Sequence, residues 1–158
     1  MEATIGIKDE SLTKVGYILS KLLADEFVLY AKTRNAHWNV EGNDFSSKHI
    51  FFENQYKQVD EMMDSVAERI RTVGEYAPAS LGQYLQLTHL TEQSRMRNDS
   101  AGFIRELLAD HESIIIYLRQ HIGEITEEFH DYGTSDFITG IMETHEKMAW
   151  MLRAHLTH

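Results

Sequence analysis

Residues 37–68 read H-W-N-V-E-G-N-D-F-S-S-K-H-I-F-F-E-N-Q-Y-K-Q-V-D-E-M-M-D-S-V-A-E. His37 stands just before a break at Gly42, Asn43 and Asp44, and His49 opens the helical run that follows. That run carries acids at Glu53, Asp60, Asp64 and Glu68. At 100° per residue from His49, these acids fall between roughly 20° and 100°. One histidine and four carboxylates therefore share about a third of the helix circumference. A solvated charged stripe is the plain alternative. Against it, Lys48 and Lys57 are the cations on the run before Arg69 and Arg71. A stripe built for helix stability would alternate sign at i,i+4 more regularly. Imidazole with carboxylate is, moreover, a ligand set for iron, manganese or zinc.

The rest of the chain reads as helix. It has 158 residues, one proline, nine glycines and no cysteine. That is one domain's length, with few helix breakers. Without cysteine there are no disulfides, thiol catalysis or thiolate metal sites, which fits a reducing cytoplasm. No apolar run approaches the ~20 residues of a membrane span. The N-terminus lacks a signal peptide's basic head and apolar core. The net charge is −10, from 25 acids against 15 Lys and Arg. Such a balance disfavours nucleic acid and anionic membranes as default partners.

Residues 1–10 form a short lead with one lysine and three acids. Leu12, Val15, Leu19, Leu22, Leu23, Glu26 and Tyr30 then keep 3–4 spacing, predicting a helix from Ser11 to about Val40. Asp44 is a candidate N-cap for a second helix over about Phe45–Val73, with Gly74 as its C′ residue. A link containing Pro78 precedes a short helix over Leu81–Leu87, capped by Ser80. Asn98 or Asp99 caps a third long helix to about Glu128, with a kink expected at Gly123. A turn over His130–Gly133 leads to a last helix, capped by Thr134 and running through Leu156. Four long helices and one short one predict an all-α four-helix bundle, with the short helix in the link between the second and third long helices. No repeat or linker divides residues 1–158 into more than one domain.

The ligand positions His37, His49, Glu53, Asp64 and Glu68, at offsets of 12, 4, 11 and 4, resemble the ferroxidase signature of the Dps family of mini-ferritins. The words N-A-H-W-N-V-E-G and D-E-M-M-D-S-V-A-E-R-I-R-T-V-G, and later G-T-S-D-F-I-T-G-I, are similar to that family too. The similarity runs from about Leu12 to Leu156. It implies a ferritin-like fold and an enzyme that oxidises Fe²⁺, preferentially with hydrogen peroxide, storing ferric product in a hollow shell. It also implies two irons per site. His37, Asp64 and Glu68 would hold the first, and His49 and Glu53 would help a weaker second. An equivalent tryptophan in the family gives Trp38 a role as electron trap, the alternative being a packing aromatic. Asp131 and Asp136 correspond to acids lining iron-entry pores, the alternative being ordinary turn and cap use.

Geometry adds an expectation about assembly. On one straight helix His49 and Glu68 are about 28 Å apart, and His49 and Asp64 about 22 Å. Metal–ligand bonds are only about 2 Å long. Two copies of the helix running antiparallel across a two-fold axis bring the histidine end of one chain to the acid end of the other. The resemblance implies a dodecamer with such intersubunit sites. Two other functions compete. A nucleoid DNA-compacting protein needs clustered cations, yet residues 1–10 hold only Lys8 and residues 153–158 only Arg153. A purely structural bundle would bind no iron.

The remaining candidates are weaker. Glu127 and His130 form a single Glu-x-x-His, whereas the in-bundle di-iron site requires two. Asp110, His111, Glu112, His145 and Glu146 read as surface residues, and His155 and His158 as uninformative.

Overall fold

The computed structural model describes residues 3–156. Met1, Glu2, Thr157 and His158 lie outside them. The helices are α1 (Asp9–Asn39), α2 (Phe45–Thr72), α3 (Leu81–Leu87), α4 (Ser100–Glu127) and α5 (Tyr132–Ala154). Helices α1 and α2 pack as one hairpin and α4 and α5 as another. Contacts of α1 with α4 and of α2 with α5 close the bundle, and α3 lies against α1. The core is the shared apolar stripe of the four long helices. Leu19, Leu22, Phe52, Val66, Leu118 and Ile138 are among its fully buried members. No helix among the described residues is long and apolar enough to cross a membrane.

The expected breaks are present, with differences at the caps. Gly42 (φ 130°) and Gly74 (φ 95°) take conformations that an L side chain resists. Asp99 caps α4 by accepting from the Gly102 amide at 2.7 Å. Asp44 occupies the cap position of α2 but gives its carboxylate to the Ser100 hydroxyl (2.7 Å), bracing α2 against the start of α4. Helix α5 starts two residues before Thr134, because Asp131 is the cap and accepts from the Thr134 amide at 2.9 Å. The preceding turn is made by His130, a non-glycine at φ 55°. Helix α4 runs unbroken through Gly123.

The long link between α2 and α4 is tied down by buried charges. Asp25 accepts from the Thr88 hydroxyl (2.6 Å) and the His89 amide (2.9 Å), and pairs with His89 Nδ1 at 2.7 Å. The other ring nitrogen of His89 meets the Ser113 hydroxyl at 2.9 Å. Glu106 accepts from the Ser94 and Arg95 amides and from the Arg95 guanidinium. Lys32 donates to the Thr91 carbonyl (2.8 Å) and pairs with Asp110 at 2.6 Å. Each charge finds an opposite charge or a backbone dipole, as burial of ions requires.

Candidate metal centre

The link 40–44 folds the end of α1 back beside the start of α2, which places His37 against His49. The contact is reciprocal. His37 Nδ1 lies 2.8 Å from the His49 carbonyl oxygen, and His49 Nδ1 lies 2.7 Å from the His37 carbonyl oxygen. A carbonyl can only accept, so each Nδ1 carries the hydrogen. In the neutral form of each ring the lone pair is then on Nε2. Pinning the distal nitrogen in this way is how proteins fix a metal-binding imidazole. The two rings stack with centroids 3.8 Å apart.

Aromatic neighbours hold the pair from both sides. Phe45 lies 5.3 Å from His49, and Tyr56 meets His37 edge-on at 5.3 Å. Tyr56 is backed by Tyr30 at 6.0 Å. The Arg34 guanidinium sits 4.4 Å from the Tyr56 ring and 4.8 Å from Trp38, in cation–π range of both. Tyr56 and Arg34 escaped notice in the sequence, since neither belongs to the histidine–carboxylate pattern. Their signal is spacing: Tyr56 follows His49 by seven residues and Arg34 precedes His37 by three, so each shares a face with its histidine. Trp38 is 61 % exposed and packs on Arg34, not into the core.

Glu53 stands one turn beyond His49, half-buried, in an ion pair with Lys57. Its carboxyl is held below the usual range, first by Lys57 and in smaller part by His37 and His49. Asp60, Asp64 and Glu68 are exposed toward the other end of α2. Among the described residues, no three His, Asp or Glu side chains come together as a metal-holding group. One chain thus gathers His37 with His49 and leaves Asp64 with Glu68 apart. Asp131 is buried, committed to its cap and to Arg69 at 3.3 Å, whereas Asp136 is exposed. Glu127 and His130 are both exposed.

A second histidine pair lies in the bundle interior, contrary to the surface reading of those residues. His111 and His145 are 1 % and 0 % exposed, and Asp110 is buried with them. Their Nδ1 atoms are 2.9 Å apart, so one donates to the other. His145 Nε2 faces Glu26 Oε1 at 3.4 Å, and the second Glu26 oxygen has no hydrogen-bond partner among the described residues. Desolvation raises the Glu26 carboxyl, and desolvation followed by the charge of His145 pushes His111 well below 6.5. Mutual hydrogen bonding, with Lys32 for Asp110, is what lets these polar groups sit inside. Glu112 and Glu146 are half-exposed and pair with Arg153 and Arg119.

A model of the ferritin-like domain matches residues 17–158. A low temperature-induced protein of Nostoc sp. is 41 % identical over 152 residues, covering 96 % of this chain and 85 % of that protein. DNA protection during starvation protein 2 of Bacillus anthracis is 34 % identical over 139 residues, covering 88 % of this chain and 94 % of that one. Among solved structures, Dps from Vibrio cholerae, described as one of the ferritin-like diiron-carboxylate proteins, superposes with a TM-score of 0.92. It has 29 % identity and covers 99 % of this chain and 97 % of its own.

Proposed function

The chain belongs to the Dps group of the ferritin-like family, and on that premise we propose that it is a ferroxidase and iron store. Iron is its substrate and cargo. His37, Asp64 and Glu68 bind the first Fe²⁺, and His49 with Glu53 bind a second more weakly. Imidazole suits Fe²⁺, and hard carboxylate oxygens favour the Fe³⁺ product. Two ferrous ions bound together give hydrogen peroxide both its electrons: 2 Fe²⁺ + H₂O₂ + 2 H⁺ → 2 Fe³⁺ + 2 H₂O. No hydroxyl radical is released. Dioxygen is the slower alternative oxidant. The ferric product is kept inside a dodecameric shell, which protects against oxidative damage.

One observation carries this reading. His37 and His49 are both fixed with Nε2 free to ligate, while the acid pair of the same motif stands on the far part of α2. A second copy related by a two-fold axis supplies what each chain lacks, and the axis creates two equivalent sites. Asp136 serves iron entry, and Trp38 serves as electron trap. Mixed shells test the proposal. Chains carrying His37→Ala and His49→Ala are dissociated and reassembled with chains carrying Asp64→Ala and Glu68→Ala. Stopped-flow absorbance should show peroxide-driven iron oxidation recovered above either parent. Mixed shells that assemble and recover nothing exclude the shared site.

A further inference from the structure

Of the five motif ligands, Glu53 has a basic partner within its own chain. Lys57 Nζ lies 2.5 Å from Glu53 Oε1, one turn further along α2. Among the described residues no ion pair reaches Asp64 or Glu68. The carboxylate on offer to a second metal ion is thus already holding a cation.

We propose that Lys57 is a built-in competitor for the second iron, an ammonium that neutralises Glu53 until a metal ion displaces it. This rests on the proposed iron site and assigns what sets the weakness of its second half. The exchange is physically accessible. In the single chain Lys57 is 58 % exposed along its side chain, and Glu53 34 %, so there the pair is screened by water. The lysine stem is flexible, and its head returns to solvent when released. A divalent ion held also by imidazole nitrogen outcompetes one monovalent head group. Glu53 preceding Lys57 at i,i+4 is the favourable orientation, so the resting state re-forms when metal leaves. The consequence is ordered filling. The first site, using His37 with Asp64 and Glu68, loads without displacing Lys57, and the second loads only against it.

Calorimetric titration of the assembled protein with Co²⁺, and with Fe²⁺ under anaerobic conditions, tests this by binding alone. Lys57→Gln should tighten the second binding phase about two- to fivefold, the range expected for releasing an exposed ion pair. Lys57→Arg, which keeps the charge, should leave it near wild type, and Glu53→Gln should remove it. The first phase should be the same in all of them. A second phase unchanged or weakened in Lys57→Gln overturns the proposal, as does one absent from both wild type and Lys57→Gln. Failure of the iron site itself looks different. Wild type would then lack the first phase as well, or His37→Ala would retain it.

Discussion

The two histidine pairs use the same side chain for opposite ends. His37 and His49 meet where α1 turns into α2, and each gives Nδ1 to the other's backbone carbonyl. His111 and His145 meet between α4 and α5, and one Nδ1 donates to the other. In the first pair the backbone satisfies one nitrogen of each ring and no hydrogen bond among the described residues takes Nε2. In the second, His145 spends both nitrogens inside the bundle, on His111 and on Glu26. What a histidine can do is set by which atom satisfies its Nδ1 and by how much water reaches the ring. Spacing along the chain does not decide it.

Ligand removal should separate the pairs most sharply. His37→Ala or His49→Ala should lower the rate of iron oxidation by at least about a hundredfold, since even residues behind metal ligands cost 10- to 100-fold in affinity or activity. Thermal unfolding should move little. Stopped-flow absorbance and calorimetry on the same samples check both halves. A variant with full activity breaks the assignment of the His37–His49 pair.

The converse is expected in the core. His145→Ala opens a cavity and strips both Glu26 and His111 of a partner, and should cost about 3 kcal/mol of stability. Oxidation per folded shell should remain at the wild-type rate. If denaturant unfolding shows no loss, the buried pair does not hold the bundle as described.

Acid should act on the buried histidine and carboxylates of the core. Depression of the His111 pKa means the folded state binds fewer protons there than the unfolded chain. Its contribution is whole above pH 6.5 and is lost as pH falls from there toward the depressed value. Asp110 has the opposite sign. Burial, partly offset by Lys32, raises its carboxyl to about 6, so folding gains as pH drops from above 6 toward 3.8. Glu26 and Asp25, also raised chiefly by burial, add to that gain. Asp110→Asn should remove one opposing contribution and make acid destabilisation steeper below pH 6, by at most about 3 kcal/mol. Chemical unfolding at stepped pH measures it, and parallel curves for the two proteins would show Asp110 to be ordinary.

The smallest effect should come at the start of α5. Asp131→Asn keeps a cap acceptor but loses the charge facing Arg69 and the carboxylate oxygen that accepts from the Thr134 hydroxyl, and should cost about 1 kcal/mol. Asp136→Asn should leave stability unchanged and slow iron uptake at low Fe²⁺. Equal behaviour of the two variants in thermal unfolding would remove this distinction.

Helix positions and the spacing of the candidate ligands were legible because both are local. Apolar residues at 3–4 spacing, Gly42, Gly74 and the Asp99 cap act within a few residues of themselves, and the structure keeps them. The stripe His49, Glu53, Asp64, Glu68 follows from helical geometry alone, as does the impossibility of one helix uniting its ends. The cap of α5 was misread because Asp131 and Thr134 are both good cap residues, and the left-handed turn at His130 chose between them. His111 and His145 read as surface because they lie 34 residues from each other, and His145 lies 119 from its other partner, Glu26. Sequence by itself determined an all-α bundle and the residue types available for iron. Tertiary structure decided which histidines keep a free nitrogen, which charges are buried and that Glu53 holds Lys57. Periodicity is a property of neighbours along the chain, whereas tautomer, desolvation and ion pairing depend on neighbours in space.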